Sequence, residues 1–171
     1  MTSRTVFLNI VRFFFLIALQ VLILNHINMW GYINPFLYLY FILLLPFATP
    51  KCMLLLASFA IGLGIDLFTN TIGLNAAACL IMAFARPFVI TRISSGPESL
   101  IGDTPSLRNQ GMSWFLYYTI TLVFIQHFSL FYLEIFRFSE FLSTLARVIL
   151  SSAFTILLIL ISEYLFISRE K

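Results

Sequence analysis

Between residues 6 and 166 the chain is a succession of apolar blocks separated by little else, and it holds too few charges to coat such blocks against water. Apolar residues make up 61% of the sequence and charged residues 10%, with a mean hydropathy of +1.01. Lipid is therefore the expected solvent, and the chain reads as an integral membrane protein. A length of 171 residues suits one membrane domain, residues 1–171, with no separate soluble one. The net charge of +3 is dispersed as single basic residues between apolar blocks, a pattern that sets membrane topology rather than nucleic-acid binding.

A spanning helix needs roughly 17–25 mostly apolar residues. Blocks 6–24, 52–68, 73–91, 112–133 and 141–166 meet that length. Block 6–24 follows Arg4, but it contains Arg12 and is followed by Asn25-His26-Ile27-Asn28-Met29-Trp30, which lacks a small-x-small cleavage pattern. It is expected to be a retained first helix. Block 35–47 is short, opened by Pro35 and closed near Pro46. It either spans a locally thinned bilayer or turns back as a hairpin.

Charge placement separates these alternatives. If 35–47 spans, one side of the membrane holds Arg4, Lys51, Arg86, Arg92, Arg108, Arg169 and Lys171, and the other holds only Arg137. If it does not, Lys51 falls opposite Arg86, Arg92 and Arg108. The positive-inside rule thus favours an all-α bundle of six transmembrane helices with both termini cytoplasmic. Trp30, Tyr32, Tyr38 and Tyr40 then fall where an outer aromatic belt belongs. Residues 92–111, with Gly96-Pro97 and Thr104-Pro105, form an irregular cytoplasmic loop, either a partner contact or a plain connector.

Charges within helices are costly, about 2.5–3.5 kcal/mol each on insertion scales, so they turn toward the bundle interior or a partner. Arg12 sits roughly 9 Å from the inner end of its helix, at 1.5 Å per residue. Glu163 lies at a similar depth, and Arg147 and Asp66 match near the outer side. Two ion pairs are candidates, Arg12 with Glu163 and Arg147 with Asp66; snorkelling to the headgroups is the alternative. Ser58, Gly62 and Asp66 recur every four residues, with Ala60 and Gly64 on a neighbouring stripe. They face the small residues Gly73, Asn75, Ala76, Ala77 and Ala78 of the next block, which predicts a close hairpin. Asp66 is then buried against that neighbour or caps the connecting turn; a substrate-coordinating role with Asn75 is a third reading. Gln20, Gln126 and His127, with Asp66, Asn75 and Arg147, would suit either a vestibule for a small polar ligand or interhelical hydrogen bonding.

The marks of intramembrane enzymes are missing. The two histidines, His26 and His127, lie too far apart in sequence for a His-Glu-x-x-His zinc site, and no Gly-x-Ser-x-Gly elbow, paired aspartates or phosphate loop is present. No catalytic, cofactor or metal residue is assigned. Cys52 and Cys79 fall within apolar helices, as small hydrophobes rather than a disulfide framework.

Several stretches resemble the rod shape-determining MreD family in its Bacteroidetes form. They are Asn25-His26-Ile27-Asn28, the run from Pro35-Phe36-Leu37-Tyr38 to Leu45-Pro46, and Gly62-Leu63-Gly64-Ile65-Asp66 followed by Gly73-Leu74-Asn75-Ala76-Ala77-Ala78. Phe84-Ala85-Arg86-Pro87, Gln126-His127-Phe128 and Leu133-Glu134 with Phe136 complete the likeness. The resemblance implies a non-enzymatic scaffold in the inner membrane, within the cell-wall elongation machinery that makes peptidoglycan and sets cell shape. It implies as partners a bitopic MreC-like protein, the MreB filament, a RodA-like glycosyltransferase and a penicillin-binding transpeptidase. It also implies a six-helix fold similar to the substrate-binding subunits of energy-coupling-factor vitamin transporters. Such a subunit is the rival reading; against it, the first helix has a single alanine, Ala18, where those subunits resemble one another in an Ala-x-x-x-Ala motif.

Overall fold

A computed structural model of the chain describes residues 3–26, 34–71, 73–94, 100, 104–135 and 141–169. Every regular element among them is helical. The elements are α1 (Ser3–Leu22), a 3-10 turn (Leu24–His26), α2 (Leu39–Leu44), α3 (Lys51–Thr69), α4 (Leu74–Ile93), α5 (Leu107–Gln110), α6 (Met112–Ile135) and α7 (Phe141–Arg169). Four stretches are long and apolar enough to cross a membrane: Lys51–Thr69, Leu74–Ile93, Met112–Ile135 and Phe141–Leu165. The apolar part of α1, Val6–Leu22, is shorter. Phe7, Phe14, Leu67, Phe84, Leu142 and Leu165 project outward, each more than half exposed, as side chains solvated by acyl chains should.

The long helices follow one another around the molecule. α3 packs on α4, α4 on α6, α6 on α7, and α1 leans on α3, whereas α1 and α7 make little direct contact. The helices form a ring left open between α7 and α1. Trp114 Nε1 donates to Ser94 Oγ at 3.0 Å, placing the end of α4 beside the start of α6. Tyr132 Oη donates to the Phe141 carbonyl at 3.2 Å, tying the end of α6 to the start of α7 at the opposite end.

The centre of the ring is the short block of the sequence. Only Leu39–Leu44 is α-helical, and no residue from 37 to 45 is more than 8% exposed. Charge placement favours a spanning helix over 35–47, with Tyr38 and Tyr40 where an outer aromatic belt belongs. Both tyrosines instead lie in the core, 0% and 2% exposed; Trp30, Tyr32 and Arg137 lie outside the described residues. The expected irregular loop is also shorter than 92–111. α4 continues to Ile93, and Ser106 caps the short α5, its Oγ accepting from Asn109 N at 3.3 Å.

Candidate functional site

The polar residues of the bundle converge on the central segment, and the reason is backbone chemistry. Outside α2 the segment has amides and carbonyls that no helix satisfies, and at membrane depth each one left unpaired costs several kcal/mol. The Gln20 carboxamide of α1 behaves like the edge of a strand. Its Oε1 accepts from Leu37 N at 2.9 Å, and its Nε2 donates to the Pro35 carbonyl at 2.8 Å. Two hydroxyls of α7 take the preceding amides: Ser151 Oγ accepts from Asn34 N at 3.2 Å, and Thr155 Oγ1 from Phe36 N at 3.1 Å.

At the other end, Arg86 and Tyr118 close α2. Arg86 Nη2 donates to the Leu45 carbonyl and its Nε to Tyr118 Oη at 2.7 Å. The Tyr118 hydroxyl in turn donates to the Leu43 carbonyl at 2.9 Å. A cation beside the last carbonyls of a helix also complements the helix dipole. Arg86, placed by its sequence position near the membrane surface, is thus a buried strut, 3% exposed.

His127 belongs to the same scaffolding. Its Nδ1 lies 2.9 Å from the Val123 carbonyl and its Nε2 3.2 Å from Thr155 Oγ1. A carbonyl only accepts, so Nδ1 carries a proton toward Val123, and in the neutral ring Nε2 accepts from the Thr155 hydroxyl.

The hairpin residues form a second cluster, joined to the first through Tyr38. Ser58, Gly62 and Asp66 share the buried face of α3. An added Cβ on Gly62 would stand 2.6 Å from Ala76 Cα and 2.7 Å from the Asn75 carbonyl, so only glycine permits this approach of α3 to the first turn of α4. Gly64 faces α1 instead, toward Ile17 Cδ1. The chain reverses between the helices with Asn70 and Gly73 both in the left-handed region, φ 55° and 73°. Asp66 caps α4 across that turn: Oδ2 accepts from Ala76 N at 2.9 Å, and Oδ1 from Asn75 N at 3.1 Å and from the Thr71 hydroxyl. Asn75 then connects inward. Its Nδ2 donates to Asp66 at 3.0 Å, its Oδ1 accepts from Tyr38 Oη at 2.9 Å, and Tyr38 Oη accepts from Gln126 Nε2 at 3.1 Å.

The two expected ion pairs take other forms. Arg147 does not meet Asp66, whose carboxylate is occupied by α4. Its guanidinium lies over the Phe131 ring, 4.5 Å from the centroid, with Nη1 3.6 Å from Glu134. Among the described residues Arg12 and Glu163 form no direct bridge, although they and Tyr40 are close enough for their charges to interact. Glu163 accepts from Leu107 N at 3.2 Å, holding α5 against α7, while Arg12 Nη1 donates to Asn9 at 3.3 Å.

Cavities remain at several places among the described residues. One of about 210 Å³ opens beside the hairpin turn, and Thr71, Asn75, Glu134 and Arg147 reach it. Of the residues expected around a vestibule, Asn75 and Arg147 line this cavity, whereas Gln20, Gln126 and His127 are held in the interior. A groove of about 530 Å³ runs between α1 and α3, past Asn9, Phe13, Phe41 and Thr49. A third, of about 300 Å³, fills the opening between α1 and α7. Among the described residues no group of His, Cys, Asp and Glu is placed to hold a metal ion. No family model, curated protein or solved structure matches the chain.

Proposed function

We propose that the chain is a non-enzymatic scaffold of the MreD type in the bacterial inner membrane. It crosses the bilayer six times with both termini cytoplasmic and docks the transmembrane helix of an MreC-like bitopic protein. Through that contact it helps to organise a RodA-like glycosyltransferase, a penicillin-binding transpeptidase and the MreB filament. Supporting six crossings, the central segment is bonded to Gln20 toward one end of the bundle and to Arg86 toward the other.

One observation carries the docking role. Among the described residues five buried polar atoms have no hydrogen-bond partner; Thr119 Oγ1, Gln126 Oε1 and Arg147 Nε are scattered, whereas Asn9 Nδ2 and Thr49 Oγ1 belong to two residues of the one lipid-facing groove between α1 and α3. An unpaired buried donor costs about 1–3 kcal/mol, which a partner helix bearing a polar side chain in this groove would recover. The cavity beside Arg147 favours the second reading, the substrate-binding subunit of an energy-coupling-factor-type transporter.

Purification of the tagged protein in gentle detergent from its own host, with the partners identified by mass spectrometry, tests the two. Recovery of a bitopic protein and wall polymerases is expected, and their loss from an Ala57→Trp variant that fills the groove. Recovery of ATP-hydrolysing subunits with a transmembrane coupling protein would overturn the scaffold reading.

A further inference from the structure

The opening in the helix ring is walled by apolar side chains and has a cation at one end. Phe15, Leu16 and Leu19 of α1, Leu37 and Tyr40 of the central segment, and Ser162 and Leu165 of α7 line it with Arg12. Leu19 and Arg12 are seven residues apart, about 10 Å along the helix at 1.5 Å per residue, so the apolar trough leads down to the guanidinium. Helical side chains lean toward the N-terminus, and Arg12 does so, reaching back one turn to Asn9. Its head therefore lies nearer the membrane surface than its Cα does. Among the described residues Asn9 supplies the one hydrogen bond to this guanidinium, and no carboxylate stands within salt-bridge distance. Glu163, whose charge reaches Arg12, is engaged instead by the Leu107 amide.

We infer that this opening is a site for one anionic glycerophospholipid of the leaflet at the N-terminal end of α1, its phosphodiester on Arg12 and an acyl chain in the trough. The chemistry follows from the two halves of the site. A guanidinium with several unused N–H donors matches the oxygens of a phosphodiester in a way that no hydrocarbon can. A trough of about 300 Å³ with aromatic and leucine walls takes a flexible chain. A bound lipid fills the gap that α1 and α7 leave between them and neutralises an intramembrane charge at once.

Native mass spectrometry of the delipidated full-length protein tests this, with phosphatidylglycerol and a phosphate-free diacylglycerol of the same chains titrated separately, and with inorganic phosphate as the chain-free probe. Phosphatidylglycerol is expected to bind at least tenfold more tightly than either of the others. Arg12→Gln should bring it down to the level of the diacylglycerol, and Arg12→Lys should restore part of the difference. Leu19→Trp, which blocks the trough and leaves the charge, should weaken phosphatidylglycerol at least fivefold. Equal binding of the two lipids by the native protein overturns the site, and so does indifference to Leu19→Trp. Binding of inorganic phosphate as tight as that of the lipid leaves a headgroup contact alone and overturns it too. The comparison on the native protein stands even where a variant fails to fold, and it is independent of whether an MreC-like protein is recovered in the partner experiment.

Discussion

Gly62 and Gly64 are two residues apart on one helix and have opposite tolerances. A methyl group at Gly62 would meet backbone, Ala76 Cα at 2.6 Å, and backbone moves only if the whole of α4 moves. At Gly64 the nearest atom is the end of the Ile17 side chain, 3.0 Å away, which can rotate aside. Gly62→Ala is therefore expected to destabilise the protein by about 1–3 kcal/mol through overpacking. Gly64→Ala should be neutral or slightly stabilising, since alanine in a helix interior gains up to about 1 kcal/mol over glycine. Thermal unfolding of the two variants in the same detergent measures the contrast, and equal losses would mean that the α3–α4 approach is looser than described. The sequence carries this site legibly, because small residues at a spacing of four followed by a second small-residue helix admit few other packings. What Asp66 does was less legible: a lone aspartate near a helix end suits an ion pair and a cap equally, and the choice depends on where α4 begins in space.

At the level of elements, α2 is short because its neighbours complete it. Six helical residues would not hold together alone, since nucleating a helix is costly and isolated short helices are marginal. Tyr118→Phe removes one oxygen atom and with it the bonds to the Leu43 carbonyl and to Arg86 Nε. The expected loss is about 2–4 kcal/mol, for two buried groups left unsatisfied, read as a lowered unfolding midpoint. A change below the scatter of repeated melts would show that the strut is dispensable. The length and proline boundaries of the segment could be read from the chain, but its central position could not. Thirteen apolar residues look alike whether they face lipid or protein, and the groups that anchor them lie 15 to 119 residues away in sequence. Tyr38 and Tyr40 were the misleading signal, because a tyrosine buried with a hydrogen-bond partner has the same sequence signature as one at an interface.

For the whole molecule, Arg92 near the end of α4 and Leu142 at the start of α7 lie toward opposite ends of the bundle. In a Cys52→Ser background, an impermeant maleimide added to intact cells is expected to label Leu142→Cys, and to reach Arg92→Cys only after the membranes are opened. The reverse pattern would invert the assigned orientation, and labelling of both from outside would break the crossing scheme. That the chain is built of apolar helices was plain from hydropathy, and four of them, α3, α4, α6 and α7, have spanning length; their arrangement as an open ring was not, since lipid-facing and partner-facing leucines are chemically identical. The central segment also sets a timetable for biogenesis. Residues 34–45 leave the ribosome before the helices that carry Arg86, Tyr118, Ser151 and Thr155, so their backbone groups must wait, near water or the insertion machinery, until those helices arrive. The middle of this protein is among the first parts made and the last to be put in place, and a nascent chain halted before α7 should still expose it to protease.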